Sequence, residues 1–261
     1  LSAVIAYAGF ARGALSPSGA AGAIFVGTMI FWLGGWVWGL VLIAFFVSSS
    51  LLSRYREGEK ERLAEKFAKG HRRDLGQTLA NGGAGVMLAI GSALCPHPLW
   101  LAAYVGAMAT VNADTWATEL GVLSRAGPRL ITNGRPVDVG TSGGVSGLGT
   151  ISALVGGAFV GAIAGSLHLA AGGTRTDSLL LLVSGLAGGL VGSFVDSLLG
   201  ATVQAIYFCD TCSKETERLV HRCGTVTKRL RGWSWLNNDL VNLISSVFGA
   251  AAGLALVVWL V

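Results

Sequence analysis

Apolar runs of bilayer-spanning length, separated by short polar and basic connections, set the fold of this chain. Ala20 to Leu52, Gln77 to Leu94, Leu99 to about Ser124, Thr150 to Ala171, Ser178 to Phe208 and Leu240 to Val261 each read as an apolar segment. A helix crosses the hydrocarbon core in about 20 residues. Leu1 to Phe10 is apolar but shorter, the end of a helix that stops at Arg12. Only 13% of residues are charged and 52% are hydrophobic, against about 25% charged in soluble domains. A soluble enzyme is thereby excluded. The expected fold is all-α: a polytopic transmembrane bundle of about six to seven helices, forming one integral-membrane domain over residues 1–261. The chain opens on Leu1 rather than methionine and shows no cleavable signal, which leaves its N-terminus open.

Thirty-nine glycines suit a membrane bundle, where small residues let backbones approach. Gly157, Gly161 and Gly165 share one helix face, and Gly188, Gly192, Asp196 and Gly200 recur every four residues. Asp196 is thus expected in a packing seam rather than toward lipid. Ser16-Pro17-Ser18 signals a helix start. Cys95-Pro-His-Pro98 is a tight turn, with Cys95 and His97 structural. Residues 54–74 form a basic connection in which Leu63 and Phe67, four apart, suit a short helix on the headgroups; His71 reads as exposed. If spans alternate, the connections 54–74, 125–146 and 209–235 share one side and hold 17 of the 19 lysines and arginines, all but Arg12 and Arg175. The positive-inside rule puts that side in the cytosol.

Two stretches carry chemistry. Asn112-Ala-Asp-Thr-Trp-Ala-Thr-Glu-Leu-Gly121 ends an apolar segment with Asp114 and Glu119. They lie about 140° apart around a helix, at about 100° per residue, so they can flank one cavity. Gly140-Thr-Ser-Gly-Gly-Val-Ser-Gly-Leu-Gly149 is a glycine- and hydroxyl-rich loop running into the next segment. It can present backbone N–H groups to phosphate ahead of a helix N-terminus, with Ser142 or Ser146 as the cap. It is no Walker A loop, because no Gly-Lys-Ser/Thr closes it. Arg125, Arg129 and Arg135 lie between the stretches.

Asp196 and Asp239 add two more acids near the same ends of their helices, and Asp239, Asn242 and Ser246 form a polar stripe beside Asn238. Ionisable residues in membrane helices default to function. Crowded carboxylates need a cation to stay charged, and magnesium takes one or two carboxylates plus waters and phosphates. Asp114, Glu119 and Asp196 are the expected magnesium ligands, with Asp239 completing the catalytic acids. The expected phosphate- and substrate-binding residues are Asn81, Asn112, Thr115, Arg129, Thr141, Ser142, Gly143, Gly144, Ser146, Asn238 and Asn242. Gln77, Asn81 and Gly85 share a face. Phe194-Val-Asp-Ser-Leu-Leu-Gly200 faintly echoes the first stretch, too briefly to establish a duplication.

Cys209-x2-Cys212 followed by His221-x-Cys223 supplies four soft ligands within residues 209–223. That is the ligand set of a structural Cys3His zinc site, a small cytosolic zinc-knuckle-like loop with all four positions filled by protein. It would stiffen a loop bearing Lys214, Arg218, Arg222, Lys228, Arg229 and Arg231.

Leu79-Ala-Asn-Gly-Gly83, Ala113-Asp-Thr-Trp-Ala-Thr-Glu-Leu-Gly121, Pro128-Arg-Leu-Ile131, Gly140-Thr-Ser-Gly-Gly-Val-Ser146, Val195-Asp-Ser-Leu-Leu-Gly-Ala201 and Asn237-Asn-Asp-Leu-Val-Asn242 together resemble the transmembrane protein 19 family, which includes the plant phytyl-phosphate kinase. The acidic pattern also resembles, more weakly, that of CTP-using phytol and dolichol kinases. The cysteine loop is outside the plant enzyme's pattern. The resemblance implies a membrane-embedded kinase that converts an isoprenyl monophosphate (phytyl, geranylgeranyl or farnesyl) to the diphosphate, with a nucleoside triphosphate, CTP favoured, as donor. Its partners would be the lipid substrate, the nucleotide and the bilayer, with no nucleic acid; homo-oligomer formation is left open. Nucleotidyl transfer at the same site, a transporter or flippase of phosphorylated isoprenoids, and a zinc-stabilised scaffold are the competing readings.

Overall fold

A computed structural model describes residues 1–55 and 72–261. Its described residues form eight helices: α1 (Ser2–Ala11), α2 (Pro17–Gly34), α3 (Trp36–Arg54), α4 (Leu75–Leu94), α5 (Leu99–Gly121), α6 (Gly147–Ala170), α7 (Arg175–Thr202) and α8 (Asn238–Leu260). Of these α2, α3, α6, α7 and α8 are long and apolar enough to cross a bilayer. Two small antiparallel sheets occupy the connections. β1 (Arg129–Leu130) pairs with β2 (Gly144–Val145), and β3 (Ile206–Cys209) lies between β4 (Lys214–Thr216) and β5 (Lys228–Arg231). The sequence placed residues 203–208 at the end of the sixth apolar segment. Instead α7 stops at Thr202 and Ile206 to Cys209 become the central strand of the second sheet.

Helix starts follow local chemistry. Ser16 accepts from the Gly19 amide with Pro17 in the first turn, Ser146 accepts from Gly149, and Asn237 accepts from Leu240. Asp74 and Gln77 form a reciprocal capping box. Each cap satisfies an otherwise orphaned amide and contributes about 1 kcal/mol.

The long apolar stretch from Ala20 to Leu52 is two helices rather than one. Gly35, at φ +83°, ends α2 and begins α3, and this accounts for the helix beyond the expected six to seven. The break returns α3 to the end where α2 began. There the Arg54 guanidinium donates to the Arg12 carbonyl, and the Ser16 amide donates to the Arg73 carbonyl at 3.0 Å. Arg12 therefore joins the basic end, and Arg175 is the one arginine or lysine left at the opposite end among the described residues. The expected surface helix with Leu63 and Phe67, and His71, lie outside the described residues.

Helix α5 is the hub: every residue from Ala102 to Ala113 is buried. A Cβ on Gly106 would sit 2.5 Å from the Gly249 carbonyl oxygen, and one on Gly188 would sit 2.5 Å from Gly106 Cα. Helices α5, α7 and α8 thus meet backbone to backbone. Thr110 Oγ1 donates across this junction to the Gly188 carbonyl at 2.9 Å, and Ser184 Oγ donates to the Ala102 carbonyl at 2.7 Å. Asn112 ties three helices: its Nδ2 donates to Gly156 on α6 at 2.8 Å, and its Oδ1 accepts from Ser48 on α3 at 2.9 Å. Tyr104 stacks on Trp38 and donates to its carbonyl. The Gly157 and Gly161 face packs on the α7 backbone at Gly185 and Leu182, as the spacing predicts. Such contacts hold membrane bundles where lipid removes the hydrophobic driving force.

Isoleucine at Gly188 has no room at this junction, so Gly188→Ile should cost about 3 kcal/mol or more and lower the apparent Tm in detergent. Gly83→Ala, whose methyl would meet only Leu243 at 3.5 Å, should leave the Tm within a degree or two of the parent, on the order of a few tenths of a kcal/mol. Thermal unfolding followed by tryptophan fluorescence checks both.

Candidate functional site

A cavity of about 580 Å³ opens among the ends of α4, α5, α7 and α8 at the basic end of the bundle. From α5 come Asp114, Thr115, Thr118 and Glu119; from α7, Ser193, Asp196 and Ser197; from α8, Asn238, Asp239 and Asn242; from α4, Gln77 and Asn81. The loop from Val139 to Ser146 forms another wall.

Glycine seats that loop. Gly140 and Gly143 adopt φ of +81° and +83°, and a Cβ on Gly143 would lie 2.4 Å from Ala201 Cβ. The β1–β2 pairing and the bond from the Ile131 amide to the Gly143 carbonyl (3.0 Å) hold its base. Of the two proposed caps, Ser146 caps α6, and Ser142 turns the other way. The Ser142 hydroxyl donates to Glu217 Oε1 at 3.1 Å, an oxygen that also accepts from Gln204 Nε2 at 2.8 Å. Arg231 on β5 closes the end of α7, donating to the carbonyls of Gly200, Ala201 and Ser142. A cation suits the carbonyl end of a helix. The second sheet therefore supplies both an acid of the cavity, Glu217, and a clamp on its wall.

Among the described residues, five carboxylates line the cavity: Asp114, Glu119, Asp196, Glu217 and Asp239. Arg73 is the one lysine or arginine among its described lining residues. Its Nη1 donates to Ser50 Oγ at 3.2 Å, and the guanidinium stands over the Phe45 and Phe46 rings. Burial pushes Arg73 down to about 10 while the Glu119 charge acts in the opposite sense, so it stays cationic at neutral pH. Asp196 Oδ2 and Asn81 Oδ1 are buried without a hydrogen-bond partner among the described residues. An acid-rich cavity with an unsatisfied carboxylate oxygen fits a hard divalent cation that binds oxygen.

The cavity gathers Asp114, Glu119, Asp196, Asp239, Asn81, Thr115, Thr141, Ser142, Gly143, Gly144, Ser146, Asn238 and Asn242. It does not gather Asn112 or Arg129. Asn112 is consumed by the helix bonds described above, and Arg129 is exposed with its Nη1 on the Gly134 carbonyl. Sequence reasoning missed Arg73 and Glu217. The capping box at Asp74 fixes where α4 starts and so points to Arg73, but nothing in the sequence marks Glu217.

The ligand atoms of Cys209, Cys212, His221 and Cys223 all lie within 4.8 Å of one another. Cys209 and Cys223 sulfurs are 3.6 Å apart, and His221 Nδ1 is 3.2 Å from the Cys223 sulfur. A tetrahedral zinc with Zn–S of about 2.3 Å sets its sulfurs about 3.8 Å apart, so the donor set and spacing fit. Hydrogen bonds with Thr225, then His221, draw the Cys223 thiol down to about 6, whereas its bond with Cys223 pushes Cys212 up to about 11.

Residues 1–250 match the family described as Integral membrane protein DUF92. Protein PGR of Arabidopsis thaliana is 34% identical over 94% of this chain and 90% of its own. An uncharacterized membrane protein of Methanocaldococcus jannaschii is 29% identical over 92% of this chain and 84% of its own. Protein VTE6, chloroplastic, of Arabidopsis thaliana is 24% identical over 90% of this chain and 63% of its own. No solved structure matches the chain.

A methyl group at Gly143 would collide with the α7 backbone, so Gly143→Ala is expected to release the loop from β1 and speed tryptic cleavage after Arg129 in the folded protein. Gly127→Ala, which meets open space, should cleave at the parent rate in the same limited-proteolysis experiment.

Proposed function

Because the chain belongs to the DUF92 family of integral membrane proteins, we propose that its cavity is the active site of a membrane-embedded kinase. It would transfer the γ-phosphoryl group of a nucleoside triphosphate, CTP favoured, to an isoprenyl monophosphate such as phytyl, geranylgeranyl or farnesyl phosphate. One observation carries this reading: among the described residues, five carboxylates face a single arginine in a cavity at the end of a membrane bundle. That imbalance would repel phosphates unless a divalent cation entered with them, and magnesium usually binds together with substrate phosphates. The resemblance to the family containing the plant phytyl-phosphate kinase supplies the substrate class.

Asp114, Glu119 and Asp196 would hold magnesium, which neutralises phosphate charge when bound. The Thr141 and Gly144 amides donate to the Asp138 and Thr141 carbonyls, so those of Ser142 and Gly143 would meet donor phosphates, and Asn238, Asp239 and Asn242 would order their oxygens and waters. Arg73 takes the part that sequence reasoning gave to Arg129, pairing with the transferring group. A phosphate oxygen of the lipid forms the new bond to the γ-phosphorus. The bond from that phosphorus to the β–γ bridging oxygen breaks, and the nucleoside diphosphate leaves with the electron pair. The attacking phosphate is already an oxyanion, so no general base is required; the residues position and neutralise. Acids gathered at one end of the bundle suit chemistry at the interface better than carriage across the midplane. The clustering of arginine and lysine at that end supports a cavity that opens to the cytosol. The Cys3His cluster takes a structural zinc that stiffens the second sheet.

Purified protein with magnesium, CTP or ATP and a prenyl monophosphate is expected to yield prenyl diphosphate and nucleoside diphosphate. Release of pyrophosphate would instead indicate nucleotidyl transfer. Transbilayer movement of the lipid without nucleotide consumption would indicate a flippase. Asp114→Asn and Asp196→Asn should each lower kcat by about a hundredfold or more, and Arg73→Ala should lower kcat/KM on the same scale. Metal analysis should find one zinc per chain, lost in Cys209→Ser.

A further inference from the structure

A second cavity, of about 70 Å³, lies between α1, α2, α3 and α4. Its walls are mostly hydrocarbon, including Ile5, Val26, Phe31, Leu42, Ile43 and Phe46, with no carboxylate among the described residues. It adjoins the acidic cavity, because Arg73 and Asn81 belong to the walls of both. Two environments of opposite character thus meet at one cation and one amide. Arg73 is held there by Ser50 and by the faces of Phe45 and Phe46. Asn81 Oδ1 is buried at the junction with no partner among the described residues. On the far side stands α1, whose Val4 and Tyr7 are about 70% exposed and turn toward lipid.

We infer that this slot receives the start of the hydrocarbon chain of the phosphorylated lipid, with the Arg73 guanidinium gripping the phosphate at the boundary. The inference rests on the lipid-phosphate reading above and adds where the chain lies. A slot this small admits the chain's first isoprene unit, and the remainder runs out past α1 into the bilayer. Discrimination therefore acts on the unit next to the phosphate, while chain length beyond it is tolerated.

The test is photolabelling of the whole protein in detergent with farnesyl phosphate bearing a diazirine on its first isoprene unit. Adducts are mapped by mass spectrometry, with plain farnesyl phosphate as competitor. Competed adducts at Ile5, Phe31 or Ile43 are the expected result. Competed adducts confined to the α7 wall, at Leu190 or Phe194, would overturn the slot and leave the kinase reading standing. Labelling of the slot that the competitor does not reduce would mean that a bilayer chain fills it, which also overturns the assignment. Neither competed labelling nor turnover would sink both readings together. As a second measure, Ala23→Phe fills the slot from α2 and should raise the KM for farnesyl phosphate about tenfold with the nucleotide KM unchanged. An unchanged lipid KM, or equal rises in both, would overturn the slot.

Discussion

The backbone junction of α5, α7 and α8 at Gly106, Gly188 and Gly249 fixes everything above it. Backbone meets backbone at these glycines, and Thr110 and Ser184 bond across the contact, so the spacing and rotation of the three helices are tightly set. Thr110, bonded across the junction, is one turn below Asp114. Asp196 stands two turns beyond Gly188 on the same seam, and Asn242 and Asp239 follow back along α8 from Gly249. At about 1.5 Å per residue, these offsets bring acids from three helices to one level. Mutual repulsion is imposed by packing that lies below the acids.

The polar cap is tied to that junction through few atoms. Glu217 reaches the cavity from beside β4 and shares its oxygen between Ser142 and Gln204. Arg231 reaches from β5 to the last carbonyls of α7 and to Ser142. The Cys3His cluster sits on the same small sheet, with Cys209 on its central strand. The sheet that carries the cluster is therefore joined to the glycine loop through Glu217 and Arg231, although the cluster's four residues are absent from the cavity wall among the described residues.

What the sequence made legible, and what it did not, divides on physical lines. Helix caps and glycine spacings are local, and Ser16, Ser146 and the Gly157–Gly161–Gly165 face behave as read. The membrane acids stand out because water-free surroundings make them costly. The turn at Gly35 is hidden because apolar residues flank it, and its spacing from Gly39 imitates a packing motif. Arg73 is hidden among the many cations of one basic run, where spacing does not say which of them turns inward. Glu217 is brought in by antiparallel pairing of β3 and β4, a relation no linear pattern reveals. Arg129 had the better motif position but spends its donor on its own turn.

The cavity is also walled by helix ends of opposite polarity. The starting turns of α6 and α8, at Ser146, Asn237 and Asn238, face it, as do the closing turns of α5 and α7, at Gly121 and Gly200. Helix starts carry about half a positive charge and helix ends about half a negative one. Asp114, Glu119 and Asp196 all stand on the helices that finish here. The fold thus divides the cavity into an electron-rich half suited to a metal and an electron-poor half suited to phosphate oxygens. That polarity belongs to the peptide backbone and would persist with every side chain in the wall neutralised.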